Sequence, residues 1–301
     1  MTDLINALVL LSNFVLIPAI TYGSQLALGA LGITIIYGIL RFANFAYGDL
    51  MAFATTFTIL FTWYFQSIGI SFGVLPTALL AIPFAIIVTI IFCLITDKLV
   101  FGYYRIKKSP SVTIAMVSLG VMFVTNAIVR IIIGPYDRRF ADGERFIIRA
   151  NEFKEMTGLN EGLAIKSTQV LTIVITIIVV SLLFWFLNKT KTGKSMRAYS
   201  DNEDLALLSG ISPARVVMIT WIIVAILATF AGSLYGLDKS FKPFTYFSLL
   251  LPIFASAIVG GIGNPVGALV GGYVIAFSEI IITYAYKKFF AYLLPESLEP
   301  N

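Results

Sequence analysis

The chain has 301 residues, of which 58% are hydrophobic and only 12% charged, with no histidine and a net charge of +5. That is too little polar surface to cover a soluble globule of this length, so a soluble domain is excluded and a membrane protein is indicated. Cys93 is the only cysteine, which rules out an internal disulfide and a structural thiolate metal site and reads as a small buried side chain.

The N-terminal MTDLINALVL lacks a basic leading segment, which argues against a cleaved secretory signal. No charged residue lies between Asp3 and Arg41, between Asp49 and Asp97, or between Gln169 and Leu187. A bilayer span needs about 20 apolar residues, and runs of that length favour helices over the alternating strands of a barrel. Spans are predicted at 4–20, 24–40, 50–66, 74–96, 111–133, 169–187 and 216–237, followed by a long apolar stretch over 249–286. The fold class is therefore all-α: a polytopic membrane protein of about eight to nine transmembrane helices with broken or re-entrant segments, one domain over 1–301. Pro18 to Gly23 is expected to separate the first two spans, and Gln66 to Gly73 the third and fourth, with kinks as the alternative at both.

Basic residues orient the bundle. Connectors 97–110 and 188–215 together hold nine positive and four negative side chains, which places both in the cytoplasm. Two spans separate them, in agreement. The loop 134–168 has six basic and six acidic residues and is expected on the external face, either as a landing surface for an external partner or as a solvated connector. The net positive charge thus reflects topology and not nucleic-acid binding.

Connector 188–215 contains MRAYSDNEDLALLSGIS. Ser200 followed by Glu203 is a capping-box pattern, Asp201, Glu203 and Asp204 suit a first helical turn, and Gly210 suits a helix end. Ser212-Pro213 then supplies a cap and a first-turn proline for the next span. A short helix over about 200–210 is predicted. Alone in water it is marginal, so it must pack on something. Leu205, Ala206, Leu208 and Ser209 offer a face for a partner's groove, with Arg197 at its root; the alternative is a helix resting on this protein's own membrane ends. Thr192-Gly193-Lys194-Ser195 resembles the end of a phosphate-binding loop but lacks the earlier glycine and follows a membrane span, so this chain is not itself an ATPase.

Two polar breaks interrupt the apolar pattern. Arg41, Asn44, Tyr47 and Asp49 crowd the first, which reads as a broken helix lining a solute path, with a cytoplasmic turn as the alternative. The second, AIVGGIGNPVGALVGG at 257–272, holds glycines spaced for close helix packing (Gly263, Gly267, Gly271), while Gly260 to Pro265 is irregular enough for a re-entrant turn. Asn264-Pro265-Val266 resembles half of a water-channel signature, but only one copy is present. Asn126 and Glu279 are further path candidates, each with a satisfied interhelical polar residue as the more common alternative. Glu279 is the clear intramembrane acid, with Asp49 a second if its segment dips inward; so sparse a set weighs against a self-powered ion-gradient transporter.

These residues carry a resemblance. Tyr37-Gly38, Asn44-Phe45-Ala46 and Gly48-Asp49, then Arg197-Ala198, Ala206 and Gly210-Ile211, then Gly260-Gly261, Gly263, Gly267-Ala268 and Gly271-Gly272 resemble, in order and spacing, the motifs of the integral-membrane permease subunits of branched-chain amino acid ABC importers. The resemblance implies a second permease subunit, two cytoplasmic ATP-binding subunits and a periplasmic or extracellular solute-binding protein as partners, in a bacterial cytoplasmic (inner) membrane. Residues 200–210 would be the coupling helix, with Arg197, Ala198, Glu203, Ala206, Gly210 and Ile211 at the ATPase contact. Tyr37, Asn44, Tyr47, Asp49, Asn126, Gly263, Asn264 and Glu279 would line the translocation path. No catalytic residue, cofactor or metal is implied. Tyr47 stands where the family commonly has His, and the family commonly continues past the point where PESLEPN ends, so a missing final helix is expected. A permease for urea or short amides shares this architecture, and a stand-alone channel or gradient-driven transporter is the alternative from another class.

Overall fold

The computed structural model describes residues 2–73, 75–140, 146–159 and 161–293. It is helical almost throughout. The chain begins as α1 (Thr2–Leu11), passes through a π-helical turn (Ser12–Leu16) and continues as α2 (Ile17–Leu40). The break expected at Pro18 to Gly23 is absent, so the spans read as 4–20 and 24–40 form one helical run. Pro18 falls in the first turn of α2, where its missing N–H is tolerated, and the π turn just before it relaxes the ladder. Gly23 is a contact residue: a Cβ there would come within 2.6 Å of the Tyr273 ring.

Next come α3 (Tyr47–Ser67), α4 (Ala78–Thr96), a second π-helical turn (Asp97–Phe101) and α5 (Gly102–Ile106). The expected break after Gln66 is present, with Gly69 and Gly73 at positive φ. The span read as ending at residue 96 instead runs on helically to Ile106. α6 (Ser111–Ile133) matches its prediction end to end. The loop that follows contains a short antiparallel pair, β1 (Phe146–Ile148) and β2 (Ile165–Lys166), around the amphipathic α7 (Ala150–Thr157). Then come α8 (Ser167–Lys189), α9 (Lys191–Asp201), α10 (Glu203–Leu208) and α11 (Pro213–Asp238). The stretch read as 249–286 is two helices, α12 (Pro243–Val259) and α13 (Pro265–Leu293). Residues 294–301, on which the expectation of a missing final helix bears, lie outside the described residues.

Among the described residues, six helical runs are long and apolar enough to cross a membrane: Leu8–Leu40, Ala78–Ile106, Ser111–Ile133, Ser167–Lys189, Pro213–Asp238 and Pro265–Tyr284. α12, at 17 residues, is shorter. α3 is long enough, but Asp49 and its threonines lower its hydropathy. Those threonines are satisfied internally: Thr55, Thr56, Thr58 and Thr62 each donate to the carbonyl four residues back, at 2.7–2.9 Å. Such back-bonding lets a helix carry hydroxyls where no water is at hand.

α2 is the central strut, buried nearly all round and packed against α8, α11, α12 and α13. Close approach needs small residues: a Cβ on Gly272 would lie 2.6 Å from the Ala27 backbone, and one on Gly232 2.7 Å from Met51 O. By contrast α6 and α8 expose large apolar side chains outward, among them Val112, Met116, Phe123, Ile177, Leu182 and Trp185. An apolar exterior around an interior whose hydroxyls largely bond the helix backbone is the arrangement of a multi-pass membrane protein.

Candidate functional site

The basic connectors converge on one end of the bundle. Asp97 accepts two hydrogen bonds from Arg105, at 2.9 and 3.0 Å, and one from the Trp221 indole at 2.7 Å, which binds the end of α4 to α11. Phe101 stacks on Trp221 and meets Phe42 just beyond α2. The loop bearing Arg138 to Phe140 lies at the opposite end, where it receives Trp63 and Gln66 from the end of α3 and forms a bridge from Arg138 to Phe241.

At the connector end, Thr190 caps α9, its hydroxyl accepting from Gly193 N–H at 3.0 Å. α9 then folds back on α8 so tightly that a Cβ on Gly193 would sit 2.2 Å from Phe186 O. The predicted capping box is not formed. Ser200 lies in the last turn of α9 and donates to Gly38 O at 2.9 Å, while Arg41 donates to Ser200 O. The cap of α10 is Asn202, whose Oδ1 accepts from Leu205 N–H at 3.0 Å. With its hydroxyl committed to α2, Ser200 cannot serve a helix that starts three residues later. Glu203 instead accepts from the Tyr199 hydroxyl at 2.5 Å.

The end of α10 is as predicted: Gly210 has φ +79°, and Gly210 N–H and Ile211 N–H bond to Leu207 O and Ala206 O, both at 3.0 Å. That is a Schellman closure. Ser212 occupies the N-cap position of α11 ahead of Pro213, but its side chain makes no cap bond.

The coupling candidates therefore divide. Arg197, Ala198, Glu203 and Gly210 are exposed, whereas Ala206 is buried and Ile211 packs on the core. Leu205 and Leu208 are exposed as predicted, 61% and 85%, and Leu207, absent from the predicted face, is also exposed. A helix of six residues thus presents three leucines outward while Met196, Tyr199 and Ala206 anchor it inward. Asn202 and Thr190 were missed by sequence reasoning, although an Asn directly before Glu-Asp at a helix start is itself a cap signal.

Between α2 and α3 the chain turns through Arg41, left-handed at φ 58°. Asn44 is buried and accepts from Ala46 N–H at 3.1 Å, and Ser118 of α6 accepts from Phe45 N–H at 3.0 Å. The cavity beside Asn44 is only about 20 Å³, room for about one water. Tyr47 is fully buried, with its hydroxyl against Gly32 and no hydrogen-bond partner. Asp49 is buried and accepts from Asn126 Nδ2 at 2.6 Å, so these two path candidates do meet. Tyr37 is partly exposed on α2.

Between α12 and α13, Gly261 and Gly263 take positive φ, and Asn264 Oδ1 accepts from Val266 and Gly267 N–H at 3.1 and 3.2 Å, capping α13. Gly267 and Gly271 permit the close hairpin; Gly263 serves the turn and not the packing, since nothing lies within 4 Å of a Cβ placed there. Glu279 stands apart from all these residues, in a cleft near the opposite end of the bundle with Tyr22, Tyr235 and Lys239.

Comparison with known proteins covers nearly the whole chain. The family described as branched-chain amino acid transport system / permease component matches residues 15–295. The chain is 32% identical over 280 residues to a probable branched-chain amino acid transport permease protein LivH of Methanocaldococcus jannaschii, covering 90% of this chain and 81% of that protein. It is 25% identical over 267 residues to the high-affinity branched-chain amino acid transport system permease protein LivH of Escherichia coli K12, covering 87% and 83% of the two chains. To the high-affinity permease protein BraD of Pseudomonas aeruginosa it is 27% identical over 265 residues, covering 88% and 84%. No solved structure matches. Polytopic, helical and matched to the family from the π-helical turn before α2 through the last described helix, the chain belongs to the branched-chain amino acid transport system permease component family.

Proposed function

We propose that this chain is the permease subunit of an ATP-driven importer in the cytoplasmic (inner) membrane, moving branched-chain or other hydrophobic amino acids handed over by a solute-binding protein. A second permease and two ATP-binding subunits complete the machine. The observation that carries this reading is the α9–α10 segment. Its inner side is fastened to α2 through Ser200, Gly38 and Arg41, and its outer side bears Leu205, Leu207 and Leu208. An exposed apolar face on so short a helix wants a groove, and a partner's ATPase domain supplies one.

In this reading the connector end is cytoplasmic. Closure of the ATPase pair displaces α10, the displacement passes through Ser200 to α2, and the path changes from outward-facing to inward-facing as helices move against one another. The near-closed state around Asn44 fits a path shut at the connector end. Hydrolysis of ATP belongs to the partners, and this chain contributes the path.

The test is reconstitution in proteoliposomes with the ATP-binding subunits, the second permease and the binding protein. Leucine uptake should require both ATP and the binding protein. Accumulation of leucine by this chain alone on an ion gradient would overturn the proposal.

A further inference from the structure

The cleft at the end of the bundle opposite the connectors has a volume of about 400 Å³, within the range of small-molecule sites. Glu279 of α13 and Lys239, just past α11, both line it. One is an anion and the other a cation, yet among the described residues neither forms an ion pair. Both are exposed at the cleft: Glu279 reaches the Tyr22 hydroxyl and Lys239 lies beside Asp238, so the two opposite charges border the same space without pairing with each other. Lys239 Nζ is steadied instead over the faces of Tyr22 and Tyr235, 5.4 and 6.0 Å from the ring centroids. Phe14 and Ile280 add an apolar wall. One turn further along α2 the buried Gln25, whose side chain bonds Asp238, keeps an amide oxygen with no partner.

A free amino acid fits these groups with one match for each. Its ammonium is the counter-ion of Glu279, its carboxylate that of Lys239, and an aliphatic side chain lies on Phe14 and Ile280. We infer that this cleft is a reception site for a zwitterionic aliphatic amino acid, held between Glu279 and Lys239 before it passes inward. The inference rests on the amino acid permease reading given above, and it assigns the recognition of the backbone charges to two residues that no motif marks. A neutral amide such as urea has neither charge to offer, so the same pair would select against it.

The experiment uses the assembled transporter in nanodiscs without the binding protein and measures equilibrium binding of radiolabelled leucine, alongside binding-protein-dependent uptake by the wild type in proteoliposomes. Saturable binding is expected, with 4-methylpentanoate, which lacks the ammonium, and leucinamide, which lacks the carboxylate, competing weakly. Glu279→Gln and Lys239→Gln should each weaken leucine binding about tenfold or more. Glu279→Gln should also narrow the gap between leucine and 4-methylpentanoate, and Lys239→Gln that between leucine and leucinamide. The exchanged pair Glu279→Lys with Lys239→Glu should recover part of the lost affinity, which a merely structural role would not produce. Uptake with no saturable binding, or single variants that bind like the wild type, would overturn the cleft's role and leave the permease reading standing. Absence of amino acid uptake by the complete wild-type assembly would overturn both.

Discussion

The Ser200 hydroxyl donates a 2.9 Å hydrogen bond to the backbone carbonyl of Gly38, 162 residues earlier in the chain. Gly38 lies in the last turn of α2, where carbonyls have no partner within the helix. Ser200 fills one such vacancy, and Arg41 returns a bond to the Ser200 carbonyl. Ser200→Ala should therefore cost about 1 kcal/mol of stability. The larger effect is expected on coupling: ATP-binding subunits still co-purify, while ATP-dependent uptake falls relative to ATP hydrolysis. Uptake and hydrolysis measured on the same vesicles check this, and a constant ratio between them would contradict the mechanical role.

Gly210 closes α10 at φ +79°, with nothing within 4 Å of where a Cβ would stand. Gly210→Val meets no neighbour, but it forces a β-branched residue into a left-handed conformation, at a local cost of about 1–2 kcal/mol. Thermal unfolding of the bundle should shift little, and co-purification of the ATP-binding subunits should drop several-fold. Undiminished co-purification would remove α10 from the contact.

Burial first, and then the hydrogen bond to Glu203, hold the Tyr199 hydroxyl well above the ordinary tyrosine range. The fold thus favours the neutral phenol. Its contribution is complete below the unfolded value near pH 10 and is lost as pH rises through the higher folded value. Co-purification of the partners should be flat between about pH 6 and 9 as far as Tyr199 is concerned. Tyr199→Phe, or reversal at Glu203→Lys, should weaken it throughout that range. A Tyr199 that ionises with an ordinary tyrosine value, read from its ultraviolet titration against the Phe variant, would refute the assignment.

Asn126 on α6 donates to the buried Asp49 at 2.6 Å. Asn126→Leu strands a carboxylate in the interior and should destabilise the protein by about 1–3 kcal/mol. Adding Asp49→Asn to that variant should return part of the loss, a non-additivity readable from the midpoints of thermal unfolding.

Much of this fold could be read from the chain because charge and proline punctuate it. α6 begins after Pro110 and ends at Gly134, and its limits were legible to the residue. Pro18 to Gly23 misled because both residues resemble punctuation while serving other ends: a proline in a first turn beside a π turn, and a glycine making room for Tyr273. The short helix in the second connector was locatable and its glycine stop correct. Its N-cap was misplaced by two residues, Ser200 for Asn202, because the Ser200 hydroxyl answers to Gly38, a partner no local window contains. Asn44 and Asn264, read as lining a path, both bond the backbone just after them, a use that polarity alone does not distinguish from solute contact. Glu279 stood out as a lone acid in an apolar run, but that Lys239 shares its cleft follows only from how α11 and α13 pack around α2.

The continuity of α2 bears on timing. Its 24 residues span about 36 Å, with Gly38 and Ser200 clasped at one end and Tyr22 on the wall of the acid–base cleft at the other. No hinge interrupts the stretch of about 24 Å from Gly38 to Tyr22, so a tilt of about 5° imposed at the clasp carries the cleft wall about 2 Å sideways. In the importer proposed above, α2 would then act as one stiff beam, so that a displacement imposed at the clasp reaches the cleft in the same stroke.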